Sequence, residues 1–317
     1  MFRRTAARLL GAVGVLLAVS VVIFVAVEAL PGDPATRILG QNATPARLAA
    51  LRDELGLRRS LLARYLSWLG RAIHGDFGEA ATSDRSVWGT IATPLLNTAI
   101  LAACSFVAIA IVAVVGGVIS GRRPGSRIDR VVSGVALGVI SLPEFVIAGL
   151  LISVFAFRLG WFSSVSLVPL GGNPLDRPSI LVLPVATAAA FGGMFGLRLV
   201  RAAVAVAVSM PHVDAARVAG LPGHVVMRRH LLPTVAAPIA QVLAFLVPYL
   251  VGGTVVIERV FAYPGLGSSL VAQITERDVK VVEAISMIMA AVVVVAFVVA
   301  DTLGSQHQRH LRPDVAT

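Results

Sequence analysis

The chain has 317 residues, of which 57% are hydrophobic and 14% are charged. A soluble domain carries about 25% charged residues, so this composition excludes an ordinary soluble protein and indicates that a lipid bilayer solvates much of the surface. The net charge of +10 does not indicate nucleic-acid binding, because the arginines lie at the ends of apolar runs rather than in a basic stripe.

The single lysine and the single cysteine exclude two kinds of site. Lys280 lies in Asp-Val-Lys-Val-Val, whereas a Walker A phosphate loop needs Gly-Lys-Ser or Gly-Lys-Thr. The chain therefore does not hydrolyse ATP by that route. Cys104 permits neither an internal disulfide nor a cysteine-based metal site, and its apolar surroundings predict a small buried hydrophobic side chain.

Six apolar runs have the length of membrane-spanning helices, for which about 20 residues suffice. They cover residues 9–27, 95–120, 131–157, 179–197, 234–257 and 281–300. The first run is longer than the apolar region of a signal peptide, which has about 7–15 residues, and is predicted to be a retained anchor. The third is interrupted by Pro143 and Glu144, and the fifth contains Pro238 and Pro248. The predicted class is an all-α membrane protein with about six spans.

The distribution of arginine predicts the orientation of these spans. If six spans alternate, both tails and two arginine-rich connections fall on one side of the membrane. Those connections contain Arg122, Arg123, Arg127 and Arg130 in one case, and Arg201, Arg217, Arg228 and Arg229 in the other. The positive-inside rule makes that side cytoplasmic. The predicted divisions are residues 1–30 (tail and first span), 31–90 (extracytoplasmic), 91–303 (core of five spans) and 304–317 (cytoplasmic tail).

The segment 31–90 contains two predicted amphipathic helices. Thr44-Pro45 is a helix start, after which Leu48, Leu51 and Leu55 share a face and Gly56 can end the helix. A second helix places Leu62, Tyr65, Leu66, Leu69 and Ile73 on one face, and Gly75 ends it. Both helices are predicted to lie on the outer membrane surface, where they either pack on the spans or dock a partner.

The connection at residues 210–221 predicts a short helix between the fourth and fifth spans. Pro211 suits a first helical position, Ala215, Ala216 and Ala219 permit close approach of another protein, and Gly220 can supply the turn out of the helix. Asp214 near the start suits the helix dipole, and Arg217 can pair with a partner. Such a helix could transmit rigid-body motion into the membrane.

The spacing of this connection resembles the EAA motif of ABC importer permeases. Asp214-Ala215-Ala216 is followed by Gly220 and then by His230, Leu232 and Pro233. Other segments are similar to the dipeptide/oligopeptide (and nickel) permease subfamily, from residue 30 to about 301. They are Leu30-Pro31-Gly32-Asp33-Pro34, Glu54-Leu55-Gly56-Leu57, Tyr65, Trp68, Gly75-Asp76-Phe77-Gly78, Thr93-Pro94-Leu95-Leu96-Asn97-Thr98, Ser141-Leu142-Pro143-Glu144-Phe145 and, most closely, the run from Gly253 to Gly267.

The resemblance implies a type I ABC importer permease fold with cytoplasmic N and C termini, as a multi-pass protein of the cytoplasmic (inner) membrane of a prokaryote. It implies a second permease, two ATPase subunits or one fused ATPase, and an extracytoplasmic solute-binding protein as partners, with ATP and Mg in the ATPases and no cofactor in this chain. The ATPase-coupling residues would be Asp214, Ala215, Ala216, Arg217, Gly220, Leu232 and Pro233. Solutes of systems that the subfamily resembles include dipeptides, longer peptides, glutathione, nickel chelates and haem.

Three positions depart from the subfamily pattern. Asp214 replaces the usual glutamate, His230 stands where a branched aliphatic residue is usual, and Ala219 takes the place of a frequent lysine. They leave the geometry of a helix in a groove intact, but put in doubt which ATPase surface is matched.

A candidate translocation pathway follows from the breaks in the third and fifth spans. Its predicted residues are Ser141, Pro143, Glu144, Phe145, Pro248 and Gly252. A carboxylate in a membrane helix should face the protein interior or water. Glu144 therefore either meets a cation or amino group of the solute, or bonds a neighbouring helix or the backbone groups that Pro143 frees. The same residue would serve a secondary transporter driven by an ion gradient, although no internal repeat of such carriers is evident. A non-transporting membrane scaffold is a third reading. No catalytic or metal-binding constellation is evident.

Overall fold

The computed structural model describes residues 2–29, 36, 39, 43–54, 59–80, 85–169 and 171–310, and for residues 2–7, 51, 54 and 303–310 it describes the backbone alone. The match at Leu30–Pro34, most of the match at Glu54–Leu57 and the helix end predicted at Gly56 lie outside these residues. The described residues are mainly helical, and their strand pairing is limited to an isolated bridge between Glu79 and Ser86.

Apart from a short 3-10 helix at Pro174–Asp176, eleven helices follow one another in the described part of the chain. They are α1 (Phe2–Glu28), α2 (Pro45–Glu54), α3 (Leu61–Ile73), α4 (Val87–Gly121), α5 (Arg127–Ile140), α6 (Glu144–Arg158), α7 (Ser179–Val208), α8 (Pro211–Val218), α9 (Gly223–Val260), α10 (Leu266–Glu276) and α11 (Val279–His310). Short π-helical stretches interrupt α4 at Val112–Gly116, α7 at Ala189–Gly193 and α9 at Val226–Leu231, and one ends α6 at Ile152–Arg158.

Five helices in the described residues are long and apolar enough to cross a membrane, and a sixth crossing is made by a bent pair. The five lie at Arg8–Glu28, Val87–Gly121, Ser179–Val208, Gly223–Val260 and Val279–Thr302. Helices α5 and α6 pass the same test together, but they are bent by 102° at the break between them. The predicted all-α class and the six apolar segments are confirmed.

The bent pair counts as one crossing because α4 and α7 run parallel. Gly193 faces Val112, and further along both helices Gly117 and Gly121 face Val200 and Val204. The chain must therefore return across the membrane between Gly121 and Ser179, and α5 and α6 are the apolar helices that lie between.

Close packing of α4 against α7 depends on glycine. A Cβ atom at Gly117 would lie 2.6 Å from the Cβ of Val200, and one at Gly121 would lie 2.7 Å from the carbonyl oxygen of Arg201. Real Cβ atoms do not approach so closely, so these positions exclude any larger residue. Small residues four apart are the usual means by which membrane helices approach each other.

The break between α5 and α6 has a local cause in Pro143. A proline disfavours helical conformation in the residue before it and has no N–H to donate. Pro143 takes an extended conformation, with φ −59° and ψ 144°, and its carbonyl oxygen accepts hydrogen bonds from the N–H groups of Val146 and Ile147. The predicted interruption of the third span is thus a sharp bend that starts a new helix at Glu144.

The chain divides into two compact units, which comprise residues 1–96 with 268–294 and residues 97–267 with 295–317. In the first unit, α3 packs on α1. The Tyr65 and Trp68 rings lie 5.5 Å and 5.9 Å from the Phe24 ring, and the Arg64 guanidinium donates two hydrogen bonds to Glu28 at 2.6 and 2.7 Å. The predicted apolar face of α3 lies largely outside this contact, because Leu62, Leu66 and Ile73 are exposed.

The fourth and fifth spans extend beyond the predicted bounds. The sequence predicts ends at residues 197 and 234, whereas α7 continues to Val208 and α9 begins at Gly223. Arg201, Arg228 and Arg229 therefore lie within helices rather than in a loop. Both Pro238 and Pro248 lie inside the continuous helix Leu232–Val260.

Candidate functional site

Helix α8 is held on one face against the start of α9. Val213 and Ala216 are buried and form a small apolar cluster with Val226, against which Met210 packs. Pro211 occupies the first turn, and Gly220 ends the segment with a φ of +76°. The helix start at Pro211 and the left-handed turn at Gly220 agree with the sequence predictions.

Hydrogen bonds tie α8 to the helices on both sides of it. The Arg217 guanidinium reaches the carbonyl oxygen of Val208, at the end of α7, at 3.4 Å, and the carboxylate of Asp214 at 3.3 Å. The His212 ring lies 3.0 Å from the hydroxyl of Thr234, in α9. A force applied to this eight-residue helix would therefore reach α7 and α9 together.

The opposite face of α8 is exposed. Asp214, Ala215, Arg217 and Ala219 are exposed, and Val218 is 89% exposed. Of the three predicted small residues, Ala215 and Ala219 lie on this face, whereas Ala216 points inward. Leu232 is partly buried in a cluster with Leu231 and Val235, and Pro233 is exposed near the start of the Leu232–Val260 segment. These two residues belong to α9 rather than to the exposed face of α8.

An ion pair joins α5 to α7. The Nε of Arg201 donates to Oδ1 of Asp129 at 2.7 Å, and a terminal nitrogen of the same guanidinium donates to Oδ2 at 2.7 Å. The Gly125 N–H and the Ser133 hydroxyl also donate to the carboxylate. Because Asp129 is 2% exposed, this carboxylate depends on these donors for its solvation.

The bend between α5 and α6 brings Glu144 against α9. The hydroxyl of Tyr249 donates a hydrogen bond of 2.6 Å to Oε1 of Glu144. The Tyr249 ring stacks on Phe191 of α7, with centroids 5.6 Å apart and planes 26° apart. Cβ atoms at Gly192 and Gly253 would lie 2.6 and 3.1 Å from the Tyr249 ring, so the ring is fixed between two glycines.

The other predicted pathway residues lie around this pair with different exposures. Ser141, Pro143 and Phe145 are exposed, and the Ser141 hydroxyl donates to the carbonyl oxygen of Leu137. Gly252 is exposed and has open space where a Cβ would point, whereas Pro248 is partly buried. The residues of the bend are thus accessible, as is Gly252 of α9, whereas Pro248 of α9 is less so.

The segment that follows α9 folds around the carboxylate of Glu258. Glu258 is fully buried, and Oε1 accepts a 2.6 Å hydrogen bond from the Thr98 hydroxyl. The Thr98 hydroxyl in turn accepts from the Leu266 N–H at 2.7 Å. A Cβ at Gly265 would overlap the Glu258 carboxylate, so glycine is required there for close approach.

Tyr263 closes the same structure. Its hydroxyl donates to the carbonyl oxygen of Asn97 at 2.7 Å, and the Asn97 amide donates to the carbonyl oxygen of Pro264 at 2.8 Å. Burial raises the pKa of the Tyr263 hydroxyl, and the neighbouring Glu258 carboxylate adds to the increase. The hydroxyl therefore remains a donor at physiological pH. The run from Gly253 to Gly267 serves here as a packed junction with α4.

Several of these contacts were not predicted from the sequence. Gly117-x-x-x-Gly121 and Gly192-x-x-x-Gly196 carry a spacing that marks helix contacts and could have predicted the α4–α7 packing. Nothing in the local sequence links Glu144 to Tyr249, or Asp129 to Arg201, because the partners are 105 and 72 residues apart. In the part of the chain that the structure describes, no group of three or more metal-ligating side chains comes together.

Comparison with known proteins agrees with this arrangement. Residues 113–313 match the family described as the binding-protein-dependent transport system inner membrane component, and residues 1–102 match the N-terminal membrane component of the same systems. The oligopeptide transport system permease protein AppB of Bacillus subtilis is 31% identical, over 93% of this chain and 95% of its own length. The glutathione transport system permease protein GsiC of Escherichia coli K12 is also 31% identical, over 93% and 94%. The chain therefore belongs to the family of inner-membrane permease components of binding-protein-dependent ABC transport systems.

Proposed function

We propose that this permease imports peptides or peptide-like solutes, and that α8 carries the motion of partner ATPases to its membrane helices. Two permeases of 31% identity are named for oligopeptides and for glutathione, and both kinds of solute are peptides. Oligopeptides and glutathione share two properties: they are of peptide size and they have at least one free charged end. Longer peptides, dipeptides and glutathione all fall within the class of solutes with these properties.

The geometry of α8 is the observation that carries the coupling role. Its inner face is fixed by Val213 and Ala216, and Arg217 and His212 tie it to the ends of α7 and α9. Its outer face combines small side chains, a charged pair and the exposed Val218. This surface suits insertion into a groove of another protein, because small residues permit close approach and an exposed valine gains by burial.

The energy source lies outside this chain. The single lysine, Lys280, does not stand in a phosphate-binding loop. ATP and Mg would be bound by two ATPase subunits or by one fused ATPase, and closure of the ATPases would move α8. A second permease would supply the other half of the pathway, and an extracytoplasmic binding protein would deliver the solute. The pore would alternate between an outward-facing and an inward-facing state, and ATP and the solute would each favour one of these states.

The bend at Pro143 supports a pathway along α6 and α9. Backbone outside a helix is tolerated at membrane depth only where it is buried in protein or lines a water-filled cavity. Ser141 and Pro143 lie in the break and are exposed on this chain. They would therefore face either the second permease or the pathway that the two permeases enclose.

Co-purification followed by an ATPase assay tests the proposal. A tagged chain isolated in mild detergent should retain a second permease and ATPases, identified by mass spectrometry. Hydrolysis of ATP by this complex should increase several-fold when peptide-loaded binding protein is added. Isolation of the chain alone, or a complex whose ATPase activity ignores the binding protein, would contradict it.

A further inference from the structure

We propose that Glu144, with the aromatic rings of Tyr249 and Phe191, forms a site inside the membrane for an organic cation carried by the solute. The cation would be the α-ammonium group of a peptide or the ammonium or guanidinium group of a side chain. This inference rests on the proposed import of peptides and names the chemical group that the pathway recognises.

The position of Glu144 places it within the membrane and next to the break. The Tyr249 ring that it contacts packs against Gly192, near the middle of the long helix α7. Ser141 and Pro143, immediately before Glu144, are exposed and do not continue a helix. Because non-helical backbone at this depth does not face lipid, the carboxylate lies beside a protein-lined or water-filled space.

The Glu144 carboxylate has a single neutral partner. Its one hydrogen bond among the described residues comes from the Tyr249 hydroxyl, on Oε1, and it forms no ion pair there. The acidic residues of α9 and α5 differ from it, because Glu258 is fully buried and Asp129 is neutralised by Arg201. Glu144 at the start of α6 gains only partial compensation from the helix dipole, so a cation of the solute would complete its electrostatics.

The surrounding aromatic rings favour an organic cation over a metal ion. Tyr249 and Phe191 stack with centroids 5.6 Å apart, and Phe145 beside Glu144 is 58% exposed. Ammonium and guanidinium groups are attracted to aromatic faces, whereas a metal ion needs several oxygen, nitrogen or sulfur ligands. Glu144 belongs to no cluster of three metal-ligating side chains in the described part of the chain.

The contact with Tyr249 makes the site rigid. Gly192 and Gly253 leave no room for the ring to move towards either of them. The hydroxyl that donates to Oε1 fixes the carboxylate in turn, and Oε2 points towards Gly253, where a Cβ would lie 3.4 Å away. A cation would therefore meet a carboxylate whose orientation is already set, which reduces the entropy lost on binding.

Peptide binding to the purified permease–ATPase complex, without binding protein, tests the inference. The probes are a tripeptide with a free amino terminus, its N-acetyl form, and an N-acetyl tripeptide with one lysine. The wild-type complex should bind the first about tenfold more tightly than the second. The third, in which the lysine ammonium group supplies the cation, should regain that affinity. In Glu144→Gln the differences should fall below twofold. Tyr249→Phe, which keeps the carboxylate but loses the hydrogen bond that orients it, should reduce them less.

The outcomes separate this inference from the proposed function. Discrimination that survives in Glu144→Gln, or a wild-type complex that binds no cationic peptide more tightly, would overturn the inference. Glu144→Asp, which keeps the charge, should retain discrimination. If Glu144→Gln and Glu144→Asp both lose discrimination and both have a lowered melting temperature, Glu144 has a structural role and the inference is wrong. ATP-driven uptake of the unmodified peptide by wild-type proteoliposomes is measured in parallel, and its absence would contradict the proposed function itself.

Discussion

Arg201 and Asp129 meet in a two-point ion pair, in which both donor–acceptor distances are 2.7 Å. The pair joins the start of α5 to the last half of α7, and α7 leads directly into α8. Motion of α8 would thus be passed to α5 as well as to α7 and α9. The planar guanidinium makes this contact directional in a way that a lysine could not.

Replacement of Asp129 by asparagine should destabilise the protein. Arg201 would lose its charged partner, and removing one partner of a buried pair costs about 3–5 kcal/mol. The Arg201 side chain is 32% exposed, and exposure lowers the contribution of an ion pair. We therefore expect the free energy of unfolding to fall by about 2 kcal/mol. Thermal unfolding of the detergent-solubilised complex measures the change. Asp214→Asn is the matched control, because its pair with Arg217 is exposed and such pairs are worth about 0–1 kcal/mol. Equal losses of stability in the two variants would contradict a stabilising role for the Asp129–Arg201 ion pair.

A methyl group at Gly265 should disrupt the junction around Glu258. The new Cβ would overlap the buried carboxylate, so Gly265→Ala should lower the melting temperature by several degrees. Gly149→Ala, where the Cβ meets open space, should leave it nearly unchanged.

The overlap also predicts strong coupling between the two positions. Glu258→Ala removes the carboxylate, so the additional cost of Gly265→Ala in that background should be small. A double-mutant cycle on thermal stability measures this, and additive effects would show that Gly265 acts by some other route.

Gly220→Ala should uncouple ATP hydrolysis from transport. Gly220 has a φ of +76°, and a side chain in this left-handed region costs about 1–2 kcal/mol, which would shift the end of α8. We expect the stimulation of ATPase activity by loaded binding protein to fall at least threefold. Gly160→Ala bears the same backbone strain at φ +64°, also with open space around it, and should leave coupling unchanged. A similar loss in both variants would point to general strain.

Cysteine labelling tests the predicted orientation. Cys104 is the single cysteine, so a Cys104→Ala background permits a cysteine at Val218 or at Trp161, both of which are well exposed. A membrane-impermeant maleimide should label Trp161→Cys in intact cells, and Val218→Cys only after permeabilisation. Co-expressed ATPase subunits should slow labelling at Val218. The reverse pattern would place α8 outside the cell and exclude its coupling role.

The sequence predicted those parts of the fold that depend on local composition. Apolar length located the spans, Pro143 located the break, and Pro211 and Gly220 located the ends of α8. The sequence misplaced the end of α7 and the start of α9, because the helices continue past the apolar runs to Val208 and from Gly223. The pairing of Glu144 with Tyr249 depends on the direction of the chain after the bend, which no local pattern encodes. The resemblance at Gly253–Gly267 identified the segment, but the close contact between Gly265 and the Glu258 carboxylate is visible only in the structure.

Uptake of a labelled tripeptide into proteoliposomes tests the central claim most directly. The assembled complex, with loaded binding protein on the side of Trp161 and ATP on the side of Val218, should accumulate peptide only while ATP is hydrolysed. Accumulation should cease when ATP is replaced by a non-hydrolysable analogue. Uptake by this chain without ATPases, driven by an ion gradient alone, would contradict the account and make Glu144 the centre of a secondary transporter.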